Sequence, residues 1–303
     1  MHQRRRHSLT AALALAGALL AGAPQAAAPA PTAKAEHVAT HVWQAPRDRN
    51  FGGFSGIELS PDGRYFHAVT DRAHLYWGRI ERDGAGRIRN LSVDGRAHLR
   101  DGRGRRLPPG RLGDSEGIAL GAGGRIWISF EGLDRIAGYD DPGAPPAQRI
   151  PGPKALADLR LNSGMEALAI TSDGALLAIP ERSGGAERPF PVLRWKDGEW
   201  DVPSTIPRQG RWLPTGADIG PDGRLYLLER DFRGLLGFSS RVRRFEADGT
   251  GERVLLETRP LQYDNLEGIS VWHDGTSLRL TLISDDNFNL FQRTEVVEYR
   301  IPD

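Results

Sequence analysis

The chain has 303 residues, and its 40 Lys and Arg nearly balance its 39 Asp and Glu, so the formal net charge is only +1. This balance argues against a general nucleic-acid-binding protein. The sequence contains no cysteine, which excludes disulfides and thiol catalysis. Stability must therefore come from a packed core.

The first 28 residues are predicted to be a signal peptide. Arginines at positions 4–6 precede an apolar segment, residues 9–23, that is short for a membrane span, and small residues follow it. Residues 29–36 are predicted to be a flexible leader, and residues 37–303 a single domain. We therefore expect an exported protein, periplasmic or secreted, without a membrane span.

Five stretches with the same pattern recur along the remaining chain, which indicates a repeat architecture. Each has a short apolar strand, a tight turn that usually contains Asp-Gly or Gly-Gly, and a second apolar strand. The residue before the Gly or Ala of the first strand serves as a register mark. The marks are Ser55, Glu116, Glu166, Thr215 and Glu267, at intervals of about 50 to 60 residues.

Two further strand-like runs in most units give four strands per repeat, which is typical of a β-propeller blade. We predict an all-β propeller with five blades. Pairing of residues 37–44 with the C-terminal strand, residues 295–301, would close the ring and cover an open sheet edge. A sixth blade around residues 90–113 and a pair of β-sandwiches are the alternatives.

In a propeller, residues at one register in every blade form a ring around the axis. The register marks contribute one set of acidic side chains to the ring, and the ends of the second strands contribute another. Carboxylates that converge must protonate or bind a cation, and hard oxygen ligands suit Ca²⁺ or Mg²⁺. The alternative is that each Glu accepts backbone hydrogen bonds from the next blade. The candidate metal ligands are Glu116, Glu166, Glu267, Asp71, Glu131, Glu181, Glu229, Asp285 and Asp286.

Three second strands end in an acid followed by arginine, at Arg72, Arg182 and Arg230. Guanidinium groups beside carboxylates could hold a phosphate or carboxylate ligand near a cation, or they could form salt bridges between blades. A second basic feature is the stretch of residues 96–111, which has six Arg and one Asp. It is either a solvated loop or a basic flap that attracts an anion.

The ordered set "GFSGIELSPDGRYFHAVTDR", "DSEGIAL", "GMEALAI", "LYLLERDF", "NLEGISVW" and "ISDDNFN" resembles the phytase-like, esterase-like domain family of exported bacterial proteins. The resemblance spans about residues 51–301. That family is distantly similar to the β-propeller phytases, which have six blades, bind several Ca²⁺ ions at one end of the channel and hydrolyse phosphate esters. The near absence of Lys from the mature chain argues against phytate itself as the substrate.

By this resemblance, the acidic positions would bind Ca²⁺, the three arginines would contact the anion, and the metal would activate a water that attacks phosphorus. The residues implied as ligands are Glu116, Glu166, Glu181, Glu229, Glu267, Asp285 and Asp286. A serine esterase is disfavoured, because Ser55 does not lie in a Gly-x-Ser-x-Gly motif. The candidate bases His67, His74 and His273 have no visible partner.

The sequence leaves three functions open. The first is a Ca²⁺-dependent hydrolase of a small anionic phosphate ester or related ester, acting as a monomer. The second is a propeller without catalysis that binds a ligand or a protein, and the third is a lactonase-like metal propeller. Carboxylates that converge without a protein cation would favour an enzyme, whereas carboxylates already bound to Arg or backbone amides would favour a binding module.

Overall fold

The chain is described from a computed structural model that covers residues 34–153, 164–289 and 291–302. Within these residues, twenty strands form five four-stranded antiparallel sheets. The predicted propeller with five blades is confirmed. The predicted signal peptide and residues 29–33 of the predicted leader lie outside the described residues.

The blades follow one another along the chain. Blade 1 contains β2 (Phe54–Leu59), β3 (Tyr65–Thr70), β4 (His74–Arg82) and β5 (Ile88–His98). Blade 2 contains β6 (Ser115–Leu120), β7 (Ile126–Phe130), β8 (Arg135–Tyr139) and β9 (Gln148–Pro151). Blade 3 contains β10 (Ala167–Ile170), β11 (Leu176–Ile179), β12 (Phe190–Lys196) and β13 (Glu199–Ile206).

The last two blades complete the ring. Blade 4 contains β14 (Leu213–Ile219), β15 (Leu225–Phe232), β16 (Phe238–Phe245) and β17 (Arg253–Glu257). Blade 5 contains β18 (Asn265–His273), β19 (Leu278–Asp285), β20 (Glu295–Ile301) and β1 (Glu36–Val42). Short 3-10 turns lie at Ala122–Gly124 and Gly234–Leu236. Neither of these turns, nor any other helix in the described part of the chain, has the length and apolar character needed to cross a bilayer.

Closure of the ring follows the prediction. Strand β1 pairs antiparallel with β20, so the N-terminal strand completes the last blade. The alternative of a sixth blade is wrong. Residues 88–98 are the outer strand of blade 1, and residues 99–113 are a connection that carries one isolated bridge, between Arg100 and Arg106.

The first strand of each sheet lies innermost. Strands β2, β6, β10, β14 and β18 contact one another in a closed circle. The glycine after the register mark permits this close approach, because a Cβ at Gly56 would lie 2.8 Å from the carbonyl oxygen of Glu116. A Cβ at Gly117 would lie 2.8 Å from that of Glu166. The cavity left at this level is only about 10 Å³, so the axis is closed there and the polar side chains gather at its ends.

The core is divided among the blade interfaces. Five clusters of buried apolar side chains lie between successive blades. Between blades 5 and 1, Trp43 stacks on Phe54 with 4.9 Å between ring centroids. Full burial of an aromatic side chain of this size contributes roughly 1.5–3 kcal/mol. Because both faces of most sheets are covered, the strands read as apolar runs instead of an alternating pattern.

Candidate metal centre at the loop end of the axis

A ring of residues follows the second strand of each blade. The backbone amides of Asp71, Glu131 and Glu181 donate hydrogen bonds to the carbonyl two residues before the register mark, at 2.8, 2.9 and 3.2 Å. In blades 4 and 5, Arg230 and Asp285 are the sheet partners of the residue that lies two positions before the register mark. The ring therefore consists of four acids and one arginine, in blade order Asp71, Glu131, Glu181, Arg230 and Asp285.

The alignment that placed Glu229 in this ring is wrong by one residue. Adjacent side chains on a strand point to opposite faces, so Arg230 faces the axis and Glu229 faces away from it. The Glu229 carboxylate is fully buried between Arg241, at 2.9 Å, and Arg243, at 2.6 Å. Glu229 thus lies outside the acidic group and stabilises the interior of blade 4.

The register marks form a second, deeper ring. Glu116, Glu166 and Glu267 are all buried, with exposed fractions of 8–9%. Glu267 accepts a hydrogen bond from Asn265 at 2.6 Å and also one from Arg230. Burial, followed by repulsion from the neighbouring glutamates, raises the pKa of Glu116 well above its usual value. The ring therefore carries negative charge that its protein surroundings compensate only in part.

Three carboxylates of blade 2 approach within metal-ligand reach. One oxygen each of Asp114, Glu116 and Glu131 lies within 4.8 Å of the other two, and no described basic side chain forms an ion pair with any of the three. Burial raises the pKa of Asp114, and burial followed by repulsion from Asp114 raises the pKa of Glu131. Since Ca²⁺ binds oxygen ligands at about 2.3–2.6 Å, this spacing fits three ligands around one ion.

The two rings together form an acidic cluster, and the side of this cluster toward blades 3 to 5 contains its own cation. Arg230 donates hydrogen bonds to Glu267 and, at 3.2 Å, to Glu181, which joins blades 3, 4 and 5. Its side chain is 21% exposed. These two carboxylates are already compensated, so they are poorer candidates for metal ligands than the acids of blade 2.

The remaining predicted ligands lie between blades 1 and 5. Burial, followed by repulsion from Asp285, raises the pKa of Asp71 to about 7. One of its oxygens accepts no hydrogen bond from a described residue and lies 4.0 Å from Arg72. Burial, followed by repulsion from Glu267, raises the pKa of Asp285 to about 7. Asp286 instead accepts hydrogen bonds from the amides of Gly53, at 2.9 Å, and Phe288, at 3.0 Å. Asp286 therefore fixes the loops around the site.

The other predicted arginines lie at the rim. Arg72 stacks over the ring of Phe288 at 3.2 Å from its centroid, and Arg182 lies 3.1 Å from Glu181. Both side chains are about half exposed. Arg182 also lines a pocket of about 580 Å³ that shares Glu181 and Arg230 with the acidic cluster. Two arginines that the sequence analysis missed, Arg208 and Arg211, line the same pocket.

The candidate nucleophile and bases do not form a catalytic pair. Ser55 is buried in the ring of register marks. His67 pairs with Glu58 within blade 1, and His74 packs against His98 with 4.5 Å between ring centroids. His273 is exposed and accepts a hydrogen bond from its own turn. No hydrogen bond joins any of these three histidines to a serine among the described residues.

Comparison with known proteins identifies the family. A family model described as "Phytase-like: Esterase-like activity of phytase" matches residues 49–288. A search of curated protein sequences finds no significant match.

Two solved structures share the fold. An α-L-arabinofuranosidase of glycoside hydrolase family 62 from Coprinopsis cinerea matches with a TM-score of 0.53 and 11% identity, over 89% of this chain and 97% of that one. An α-L-arabinofuranosidase from Podospora anserina matches with a TM-score of 0.52 and 11% identity, over 89% of this chain and 98% of that one. At this identity the likeness shows the fold alone. The match of the family model over most of the sequence shows more: the chain belongs to the phytase-like family.

Proposed function

We propose that this protein is a metal-dependent hydrolase of a small anionic phosphate ester or a related ester, with Ca²⁺ as the preferred ion. The observation that carries the proposal is the group formed by Asp114, Glu116 and Glu131, which converges without a protein cation. Three buried or half-buried carboxylates in one place are costly unless they protonate or bind a cation. Membership of a family described by esterase-like activity supports a hydrolytic role.

The donor set favours a hard divalent cation. Asp114, Glu116 and Glu131 would hold the ion, and Asp71 lies in the same ring as Glu131. An irregular carboxylate site of this kind suits Ca²⁺ better than Mg²⁺, which requires near-octahedral geometry. When bound, the ion would polarise the ester oxygen and lower the pKa of a bound water, so that hydroxide would be available near neutral pH.

The adjacent pocket would bind the substrate. Its volume of about 580 Å³ is in the range of small-molecule sites. Arg182, Arg208 and Arg211 would bind the anionic group of the substrate through charge-assisted hydrogen bonds. Phe232 and Phe238, whose rings are 4.9 Å apart, would contact its apolar part. Arg230 would join this pocket to the acidic cluster.

An activity screen tests the proposal. Protein freed of metal should be inactive toward p-nitrophenyl phosphate, bis-p-nitrophenyl phosphate, p-nitrophenyl acetate and a simple lactone. Ca²⁺ should restore hydrolysis of at least one of them. Glu131→Gln should lose this activity, whereas Glu229→Gln, measured below its unfolding temperature, should keep it. Equal activity with and without metal, or full activity of Glu131→Gln, would contradict the proposal.

A second candidate is a propeller that binds an anionic ligand without turning it over. The contacts of Arg230 with Glu181 and Glu267 favour it, because neutralised carboxylates do not need a metal. In that case ligands would protect the protein against unfolding while no ester in the screen is hydrolysed. Export to the periplasm or the medium is part of our proposal and rests on residues 1–28 of the sequence.

A further inference from the structure

A second pocket lies away from the acidic cluster, where the connection 99–113 covers the outer strands of blade 2. Its volume is about 490 Å³, which is in the range of small-molecule sites. Five arginines line it, against a single carboxylate, Asp101. We call this the arginine pocket, and its arginines are Arg100, Arg105, Arg106, Arg135 and Arg149.

The single carboxylate does not compensate this charge. Asp101 accepts two hydrogen bonds from Arg105, at 2.9 and 2.7 Å, so it is already paired. Arg100 donates to the carbonyls of Gly143 and Gly104, which are neutral. Arg106 and Arg149 form no side-chain hydrogen bond or ion pair with a described residue. The pocket therefore has a net positive charge that the described protein does not neutralise.

Arg135 is the strongest indication of a ligand. The residue is buried, with an exposed fraction of only 7%. It donates to the carbonyls of Leu133 and Leu112 and stacks over Phe130, at 3.9 Å from the ring centroid. None of these partners carries a negative charge. Burial and repulsion from Arg149 lower the pKa of Arg135 to about 10. A buried charge without a counterion is unfavourable, and an anion in the pocket would relieve it.

The rest of the lining suggests the size and character of the anion. Leu107, Pro108 and Tyr139 form an apolar wall. Leu112 and Leu133, also in the lining, are large apolar residues with exposed fractions of 42% and 45%. A pocket with cationic and apolar sides suits an organic anion better than a lone inorganic ion.

We propose that the arginine pocket binds a small organic anion that carries two or more negative charges, as phosphate or carboxylate groups. Guanidinium groups bind both through paired hydrogen bonds. The site is separate from the proposed metal centre, and the proposal does not depend on hydrolysis.

Calorimetric titration of the full mature protein tests this proposal. Fructose 1,6-bisphosphate and citrate serve as the organic phosphate and carboxylate probes. Both chelate divalent metals, so the protein is first freed of metal on a chelating resin. We expect saturable binding of at least one probe, and the tighter of the two identifies the chemistry of the natural ligand. No saturable binding at about 1 mM would overturn the proposal.

Matched variants locate the binding. The double variant Arg106→Gln/Arg149→Gln removes two exposed arginines that have no described partner, so the fold should persist. We expect this double variant to bind the probe about tenfold more weakly or worse, because the loss of even one charge-assisted hydrogen bond has an effect of this size. The control is Arg253→Gln, an exposed arginine on the outer strand of blade 4. It should stay within about twofold of the parent protein. Equal losses in the double variant and the control would indicate nonspecific attraction and overturn the proposal.

Discussion

The two sides of the acidic cluster differ in how their charge is compensated. On the side of blade 2, Asp114, Glu116 and Glu131 converge with no described cation. On the side of blades 3 to 5, Arg230 contacts Glu181 and Glu267. The same position of the repeat thus holds an acid in blade 2 and an arginine in blade 4. The side of blade 2 could therefore hold a metal, whereas the other side already contains a cation.

The largest expected effect comes from removing the permanent cation. Arg230→Met should destabilise the metal-free protein by about 3–5 kcal/mol, because Glu267 loses its only described cation and Glu181 keeps only the half-exposed Arg182. Urea unfolding measures the change, and Ca²⁺ should recover part of it. Arg182→Met at the exposed rim is the control and should cost about 1 kcal/mol or less. Equal losses in the two variants would show that Arg230 does not neutralise the cluster.

Substitutions of two glutamates in the same ring should change the free energy of unfolding in opposite directions. Glu267→Gln should lower the stability of the metal-free protein by about 1–3 kcal/mol, because Arg230 and Asn265 would then donate to a neutral amide oxygen instead of a carboxylate. Glu116→Gln should raise it at pH 8, because the substitution removes a buried carboxylate that its neighbours repel. Urea unfolding without metal distinguishes the two. A loss of stability in both variants would mean that Glu116 has a partner in solution.

The pH dependence of stability should respond to metal. Asp71 and Asp285 have folded-state pKa values near 7, above the ordinary value of an Asp, 3.8. The folded state therefore binds more protons between pH 4 and 7, so the stability of the metal-free protein falls as the pH rises through this range. Burial also raises the pKa values of the proposed ligands Asp114, Glu116 and Glu131, so protons compete with Ca²⁺ for them less at high pH. Ca²⁺ should therefore raise the melting temperature more at pH 8 than at pH 5.

A control is needed because a third buried acid, outside the proposed metal site, titrates in the same range. Burial raises the pKa of Asp218, near the other end of the axis, to about 7. Asp218→Asn should reduce the pH dependence but leave the difference between the Ca²⁺ responses at pH 8 and pH 5 unchanged. A Ca²⁺ shift of the same size at both pH values would show that the ion does not compete with protons for these carboxylates.

The smallest expected effect is at the rim of the proposed substrate pocket. Arg182→Gln should raise the KM for an anionic ester about fivefold or less, because this side chain is 59% exposed. The KM for a neutral ester and the melting temperature should not change. An equal rise in KM for both esters would mean that Arg182 shapes the pocket without contacting the anion.

The blade count and the closure of the ring could be predicted from the sequence. The tight turns and the repeat interval set four strands per unit, and the last unit lacked one strand, which the N-terminal strand β1 supplies. The closed axis could not be predicted, because the glycine that follows four of the five register marks reads as part of a motif until its neighbours are known. Only the structure shows that a Cβ there would meet the next blade.

The site was predicted less completely, for two reasons. In blades 2 and 3 the acid of the outer ring lies 15 positions after the register mark, as Glu131 does after Glu116 and Glu181 after Glu166. The same spacing from Thr215 reaches Arg230 and not Glu229. Matching by charge instead of spacing caused the error. Asp114 was missed because it precedes the first strand. Its signal is the shared pattern Asp/Asn-x-Glu-Gly, which recurs as Asn265-Leu266-Glu267-Gly268.

Calorimetric titration of metal-free protein with Ca²⁺ tests the central claim most directly. The parent protein should bind Ca²⁺, and Glu131→Gln should weaken binding by about tenfold or more, because a carboxylate ligand is lost. Glu181→Gln, on the side of the cluster that Arg230 neutralises, should bind within about threefold of the parent protein. If Glu181→Gln loses Ca²⁺ binding while Glu131→Gln keeps it, the metal lies on the other side of the cluster and the account is contradicted.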